Sequence, residues 1–318
     1  MNIKTDWSLQ EIKEIHDLPL LKLVLQAQEV HSLHFKLGEV QMSSLISIKT
    51  GGCPEDCGYC PQAARYHTDI KKHPLMQKEE VLSLSRKAKD KGASRICLGA
   101  AWREVRDGED FDKVLEIVKA VSEEGVQVCC TLGMLSENQA QRLKAAGLSA
   151  YNHNIDTSEA YYDKVIKTRN FDDRINTIQK ARDAGLSVCS GGILGLGESI
   201  DDRIKMLQTL SSLSPHPESV PINTLVPVKG TPLEKNDSVA IEELVRAIAT
   251  ARILMPQSFI RLSAGRLERS VSEQALCFLA GANSIFTGDT LLTTPNPTED
   301  TDDKMFRTLG LTKMAVHV

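Results

Sequence analysis

The sequence predicts a (β/α)8 barrel, and three observations predict it. One unit repeats between residues 78 and 290, in which a polar–apolar helical stretch closes on a glycine and a short β-rich run follows. The β-rich runs are short and evenly spaced. About eight of them fit into roughly 250 residues, the usual size of such a barrel. A doubly wound open sheet uses the same grammar and is the alternative; the spacing and the compact length favour closure.

In chain order, residues 1–40, with Pro19 near a helix start, read as a helical extension packed on the outside. "SSLISIKT" supplies the first strand. The clearest repeats are "KAKDKGASRICLGA", "AVSEEGVQVCCTLG", "LKAAGLSAYNHNID" and "KARDAGLSVCSGG". Their glycines, Gly92, Gly125, Gly147 and Gly185, fall just past a helix end, where positive φ turns the chain into the next strand. "ESVPINTLV", "SFIRLSAG" and "GANSIFTG" continue the series, preceded by helical pattern at 200–212, 238–255 and 268–279. From "LLTTPNPTED" onward the chain reads as a Pro-rich loop and a final short helix. No linker divides residues 41–318, which form one barrel domain with a short C-terminal segment.

Composition narrows the function. The 318 residues are 41% hydrophobic and 25% charged, enough for a large core. Lysine and arginine total 38 against 42 acidic residues, with a net charge of -4 and no basic block, so no nucleic-acid partner is expected. No apolar run reaches the roughly 18 residues of a spanning helix, so no membrane association is expected either. The first residues lack the layout of a secretion signal, which places the protein in the cytoplasm, where thiols stay reduced. The eight cysteines are then metal ligands, catalytic groups or small core residues. Cys277, on the apolar helical face of "SEQALCFLAG", is core.

Strand alternation sorts the rest, because successive side chains point to opposite faces. Taking Ile96, Leu98, Val126, Val128, Leu186, Val188, Ile260 and Leu262 as helix-facing sends Arg95, Cys97, Gln127, Cys129, Ser187, Cys189, Arg261 and Ser263 inward. Cys130 then points out. Asn152, Asn154 and Asp156 share one face, His153 the other, and Asn223 goes in while Val220 and Ile222 go out. Lys49 also counts as inward. Barrel interiors are ordinarily filled with Val, Ile and Leu. So many unpartnered polar groups would cost several kcal/mol each, leaving either a hydrogen-bonded polar core or an interior that holds cofactor and substrate.

"TGGCPEDCGYCPQ" crowds Cys53, Cys57 and Cys60 into a short, turn-rich segment. Soft thiolates on one loop suit zinc or iron–sulfur. A structural zinc site needs four closed ligands, and only His67 is a nearby candidate for the fourth. Three thiolates on a [4Fe–4S] cluster leave one iron open for a chelating ligand.

This C-x3-C-x2-C loop, with Tyr59 before its last cysteine, closely resembles that of the radical S-adenosylmethionine superfamily. In that superfamily the open iron chelates the methionine moiety, and electron transfer releases methionine and a 5′-deoxyadenosyl radical. The resemblance extends along nearly the whole chain to the biotin synthase family, on "SIKTGGCPEDCGYCPQAARY", "YNHNIDTS", "VCSGGILGLGE", "ESVPINTLVPVKGTPL", "RLSAGR" and "LLTTPNP". It implies a homodimeric barrel that inserts sulfur between C6 and C9 of dethiobiotin to give biotin, using two molecules of S-adenosylmethionine. It also implies a [2Fe–2S] cluster on Cys97, Cys129, Cys189 and Arg261, in addition to the [4Fe–4S] cluster on Cys53, Cys57 and Cys60.

By the same resemblance, Tyr59, Asn154, Asp156, Arg174, Ile193 and Val226 contact S-adenosylmethionine, with Asp156 toward the ribose and Arg174 toward the carboxylate. Asn152, Asn154 and Asn223 suit the ureido ring of dethiobiotin. No side chain is a catalytic acid or base, since the radical comes from the cofactor. Lys49 and Arg95 balance cluster charge, and His153 is structural. The family also implies an electron donor such as flavodoxin or ferredoxin and iron–sulfur assembly proteins as partners.

Overall fold

The computed structural model describes residues 3–315. Its main sheet comprises β1 (Glu39–Lys49), β2 (Arg95–Ala100), β3 (Gln127–Thr131), β4 (Ala150–Asn152), β5 (Ser187–Cys189), β6 (Gly192–Leu194), β7 (Ser219–Thr224), β8 (Phe259–Leu262) and β9 (Ser284–Thr287). Neighbouring strands are parallel, and β1 pairs with both β2 and β9, so the sheet closes on itself. β5 and β6 are two pieces of one stave: β5 bridges β4 and β7, and β6 continues beside β7. The predicted barrel is the fold found. Gly191 lies in the break, where an added Cβ would sit 2.0 Å from the Pro221 carbonyl oxygen. Only glycine lets the two strands approach this closely.

The outer layer comprises α3 (Lys78–Asp90), α4 (Glu109–Glu123), α5 (Glu137–Ala145), α6 (Glu159–Val165), α7 (Phe171–Asp183), α8 (Ile200–Ser212), α9 (Ile241–Leu254) and α10 (Val271–Leu279). Ser136, Asn170, Ser199 and Ser270 close reciprocal capping boxes at the starts of α5, α7, α8 and α10. Such a cap contributes about 1 kcal/mol. The four glycines expected after helices have φ of 96°, 71°, 98° and 74° in chain order. One unit departs from the repeat. Two helices, α6 and α7, separate β4 from β5, because Ile166 turns extended and Asn170 starts a new cap. The loop between them reaches the functional end of the barrel.

Alternation holds along the staves. Ile96, Leu98, Val128, Cys130, Val188, Ile222, Ile260 and Leu262 join the large core between barrel and helices, with Phe111, Val114 and Val121 of α4 among their partners. Cys97, Cys129 and Ala150 form a separate small cluster inside the barrel. Cys277 is fully buried in the outer core, as its helical face predicts.

The extension forms α1 (Leu9–His16) and α2 (Leu20–His34), which pack on α8 and α9, and β1 begins at Glu39, just inside it. After β9 come a hairpin of β10 (Thr290–Leu291) and β11 (Thr294–Pro295), then α11 (Glu299–Leu309) and β12 (Thr312–Lys313), which pairs with the start of β1. Arg266 pins α11 to the barrel through a two-pronged pair with Asp302, at 2.5 and 2.8 Å, both side chains being buried. Asp302→Ala would leave that guanidinium uncompensated, and urea unfolding is expected to show a loss of about 3–5 kcal/mol. A loss under about 1 kcal/mol, the size of an exposed pair, would contradict this assignment.

Candidate active site

A cavity of about 320 Å³ opens at the C-terminal ends of the strands. Barrel enzymes place their chemistry at that end. The cavity has two tiers.

The upper tier is the cysteine loop. Cys53, Cys57, Tyr59 and Cys60 all line the cavity. The loop is not a regular element, so its shape comes from specific bonds. Cys60 N–H donates to the Cys57 carbonyl at 2.9 Å, and Cys53 N–H to the Gln62 carbonyl at 2.9 Å. Between the cysteines, Asp56 Oδ1 accepts from Lys167 N at 2.9 Å and Thr168 N at 3.0 Å. Burial pushes the Cys57 thiol up to about 11, and burial plus the neighbouring Cys57 pushes Cys60 up to about 12. Left as bare thiols, these groups stay protonated at neutral pH; a metal centre would supply the charge that makes them thiolates. Among the described residues, no three Cys, His, Asp or Glu side chains converge on a position for a single metal ion.

Beside this loop lies the stretch 152–156. The strand ladder ends at Asn152, and Asp156 adopts left-handed backbone at φ 66°. Alternation therefore stops being the reason these residues face the cavity; the local turn takes over. Arg174 bonds Asp156 and also donates to the Tyr162 hydroxyl at 2.9 Å. Although burial opposes the charge, Asp156 holds the Arg174 guanidinium firmly protonated. Nε and one terminal nitrogen of Arg174 are thus engaged, leaving Nη1. Asn154 Oδ1 accepts from Gly191 N at 3.1 Å, and Ile193 N–H donates to the Asp156 carbonyl at 2.8 Å. Asn223 donates to the Gly192 carbonyl at 3.0 Å and accepts from Ala264 N at 3.1 Å. Ile193 and Val226 line the same wall.

The lower tier is the interior of the staves. Cys97 and Cys129 are register partners on β2 and β3, and their thiols hydrogen-bond each other. The Cys129 thiol, with the Arg261 and Arg95 charges, lowers the Cys97 pKa against the opposing effect of burial. Arg261 is only 1% exposed and aims Nη1 at Cys189 Sγ, 3.8 Å away. Its other nitrogens are fixed: Nε donates to Ser284 Oγ at 3.0 Å, and Nη2 to Ser43 Oγ at 3.2 Å and Gln41 Oε1 at 3.3 Å. Asn152 joins the tiers, donating to Cys189 Sγ at 3.1 Å and accepting from the Thr131 hydroxyl at 3.2 Å. Below, Arg95 donates to Gln127, and buried Gln41, Ser43 and Ser284 close the floor.

Two side chains sit apart from the expected arrangement. Lys49 donates to the Gly51 and Ala101 carbonyls at 3.2 and 3.3 Å, so it braces the loop. His153 lines the cavity together with Asn152 and Asn154 instead of facing away from it, and it is buried and stacked on Tyr151 at 6.3 Å between centroids.

Sequence reasoning missed Arg169, Glu55 and the hairpin residues Leu291–Thr294, all of which line the cavity. It also passed over Gln41, Ser43 and Ser284. The period-two pattern of β1, extended back to its start, would have turned Gln41 and Ser43 inward.

Residues 47–210 match the Radical SAM superfamily, and residues 221–312 match the Biotin and Thiamin Synthesis associated domain. The chain is 58% identical over 309 residues to a biotin synthase of Cytophaga hutchinsonii, covering 97% of this chain and 92% of that one. The chain belongs to the biotin synthase family. A relative in that family from Nostoc punctiforme is 56% identical over 98% of this chain and 94% of its own. The mitochondrial biotin synthase of Arabidopsis thaliana is 56% identical, over 97% and 82% respectively. Among solved structures, a methylornithine synthase superposes with a TM-score of 0.83 at 22% identity, covering 97% of this chain and 94% of that one. The hydrogenase maturase HydG of Carboxydothermus hydrogenoformans superposes with a TM-score of 0.80 at 17% identity, covering 96% and 76%. These two likenesses concern the fold alone. Among the described residues of this biotin synthase family member, no helix is long and apolar enough to cross a membrane.

Proposed function

We propose that this chain converts dethiobiotin to biotin by radical insertion of sulfur between C6 and C9. S-adenosylmethionine and a [4Fe–4S] cluster supply, when bound, a carbon radical able to take hydrogen from unactivated C–H bonds that no side-chain base could deprotonate. The chain's own part is to hold, orient and shield. Cys53, Cys57 and Cys60, which all line the cavity, would hold the upper cluster, three thiols leaving one of its irons open for a chelating ligand. Asp56, anchored to Lys167 and Thr168, keeps that loop in shape.

Asn154, Asp156, Arg174, Ile193 and Val226 form the seat for S-adenosylmethionine, with Tyr59 packed alongside. Arg174 fixes the Asp156 carboxylate so that it can accept from ribose hydroxyls, and Nη1 is left for the cofactor carboxylate. Asn152, Asn154 and Asn223 offer amides to the ureido ring. Cys97, Cys129, Cys189 and Arg261 would hold a [2Fe–2S] cluster, which would supply the sulfur.

What carries the reading is the meeting, inside one barrel, of three thiols and one guanidinium from four different staves, directly beneath a three-thiol loop. A polar core would need partners for these groups, but not three thiols facing one interior. The chain works as a homodimer in the cytoplasm, where its eight unpaired thiols stay reduced, and it takes electrons from a flavodoxin- or ferredoxin-type donor. Iron–sulfur assembly proteins load its clusters.

Anaerobic reconstitution with iron and sulfide is expected to install both cluster types. Adding dethiobiotin, reductant and S-adenosylmethionine should then yield biotin and 5′-deoxyadenosine. Zinc as the bound metal, with no nucleoside released, would sink the proposal.

A further inference from the structure

Arg169 is the cavity's unexplained charge. It lies in the loop between α6 and α7, its side chain is 7% exposed, and it lines the cavity. Its Nε and Nη1 are buried without a hydrogen-bond partner. A guanidinium in that state lacks the hydrogen bonds that normally compensate burial. Its third nitrogen, Nη2, points at Cys57 Sγ from 4.0 Å. Glu55, two residues before Cys57, approaches Arg169 Nε at 3.8 Å and is held in turn by Arg103 at 3.6 Å and by the Thr168 hydroxyl. Glu55 is itself 3% exposed. Arg169 is therefore fixed on one side by a carboxylate of the cysteine loop and directed on the other at a cysteine sulfur of the same loop.

We propose that Arg169 is a positioning residue for the three-thiol centre, donating toward the Cys57 sulfur and raising the potential at which that centre takes up its electron. The inference rests on the reading of Cys57 as a cluster ligand. Hydrogen bonds to ligand sulfurs and nearby net charge are what set iron–sulfur potentials. A cation beside the sulfur favours the more negative, reduced state, and the field of so buried a group is weakly screened. Arg174 cannot substitute, because its guanidinium is already turned onto Asp156 and Tyr162.

The test is a potentiometric titration of the reconstituted, substrate-free protein, following the electron paramagnetic resonance of the reduced upper cluster. In Arg169→Gln, the ratio of reduced to oxidised cluster at a fixed potential is expected to fall about tenfold, equivalent to about 59 mV for one electron. Arg169→Lys, which keeps the charge, should recover most of that ratio. Glu55→Gln, which removes the opposing charge, should move it the other way. A wild-type ratio in Arg169→Gln would overturn the assignment while leaving the proposed reaction intact. Loss of the upper cluster from Arg169→Gln, with the circular dichroism unchanged, would make the residue a structural clamp and also overturn it. A wild-type protein that gives no reduced four-iron signal at all takes down both this inference and the function beneath it.

Discussion

Cys53→Ala is expected to abolish 5′-deoxyadenosine formation, by more than about 10³-fold, the scale on which removing one member of a cooperating catalytic unit is felt. Cys53 is the first thiol of the loop, and two remaining cysteines cannot hold a four-iron cluster with a single open iron. His67, the candidate fourth ligand from sequence, lies instead by a separate surface depression with Asp69, Lys229 and Glu234. The fold should survive, because Cys53 sits half-buried on a loop and stays bonded through its backbone to Gln62 and Ala64. Chromatographic measurement of the nucleoside, alongside iron content and a thermal unfolding curve, checks this. Nucleoside release at a tenth of the wild-type rate or more would mean that Cys53 is not a ligand.

Cys189→Ala should separate the two tiers. It removes a thiol that touches Asn152 and faces Arg261, two partners that lie outside the upper loop. The visible absorbance of the lower cluster should vanish, with its share of iron and sulfide, while the upper cluster keeps its spectrum. Biotin formation should fall by more than the roughly 100-fold expected of a change outside the ligand shell. Uncoupled cleavage of S-adenosylmethionine should continue. Equal loss of both clusters would argue against two independent sites.

The lower tier was legible in the sequence because strands have a strict period. Once Ile96 and Leu98 are placed outward, Cys97 has one direction left, and the same step sends Cys129, Cys189 and Arg261 to the interior where they are found. The adjacent Cys129 and Cys130 part as the alternation predicts: Cys129 lies in the interior cluster and Cys130 in the outer core. The upper tier was legible only as a motif. Its scaffolding depends on pairings between distant loops, Asp56 with Lys167 and Glu55 with Arg169, which no periodicity encodes. Arg169 looked like any charged residue before a helix cap. The extra helix α6 is likewise unmarked by the repeat: one extended residue, Ile166, and one cap, Asn170, set it apart from α7.

The closed floor beneath Arg261 has a consequence for access. Gln41, Ser43, Arg95 and Ser284 seal the far end of the barrel, so the mouth is the way in to the deep thiols. Whatever is exchanged at the deep thiols therefore passes the same mouth by which, on the proposed reading, S-adenosylmethionine and dethiobiotin enter.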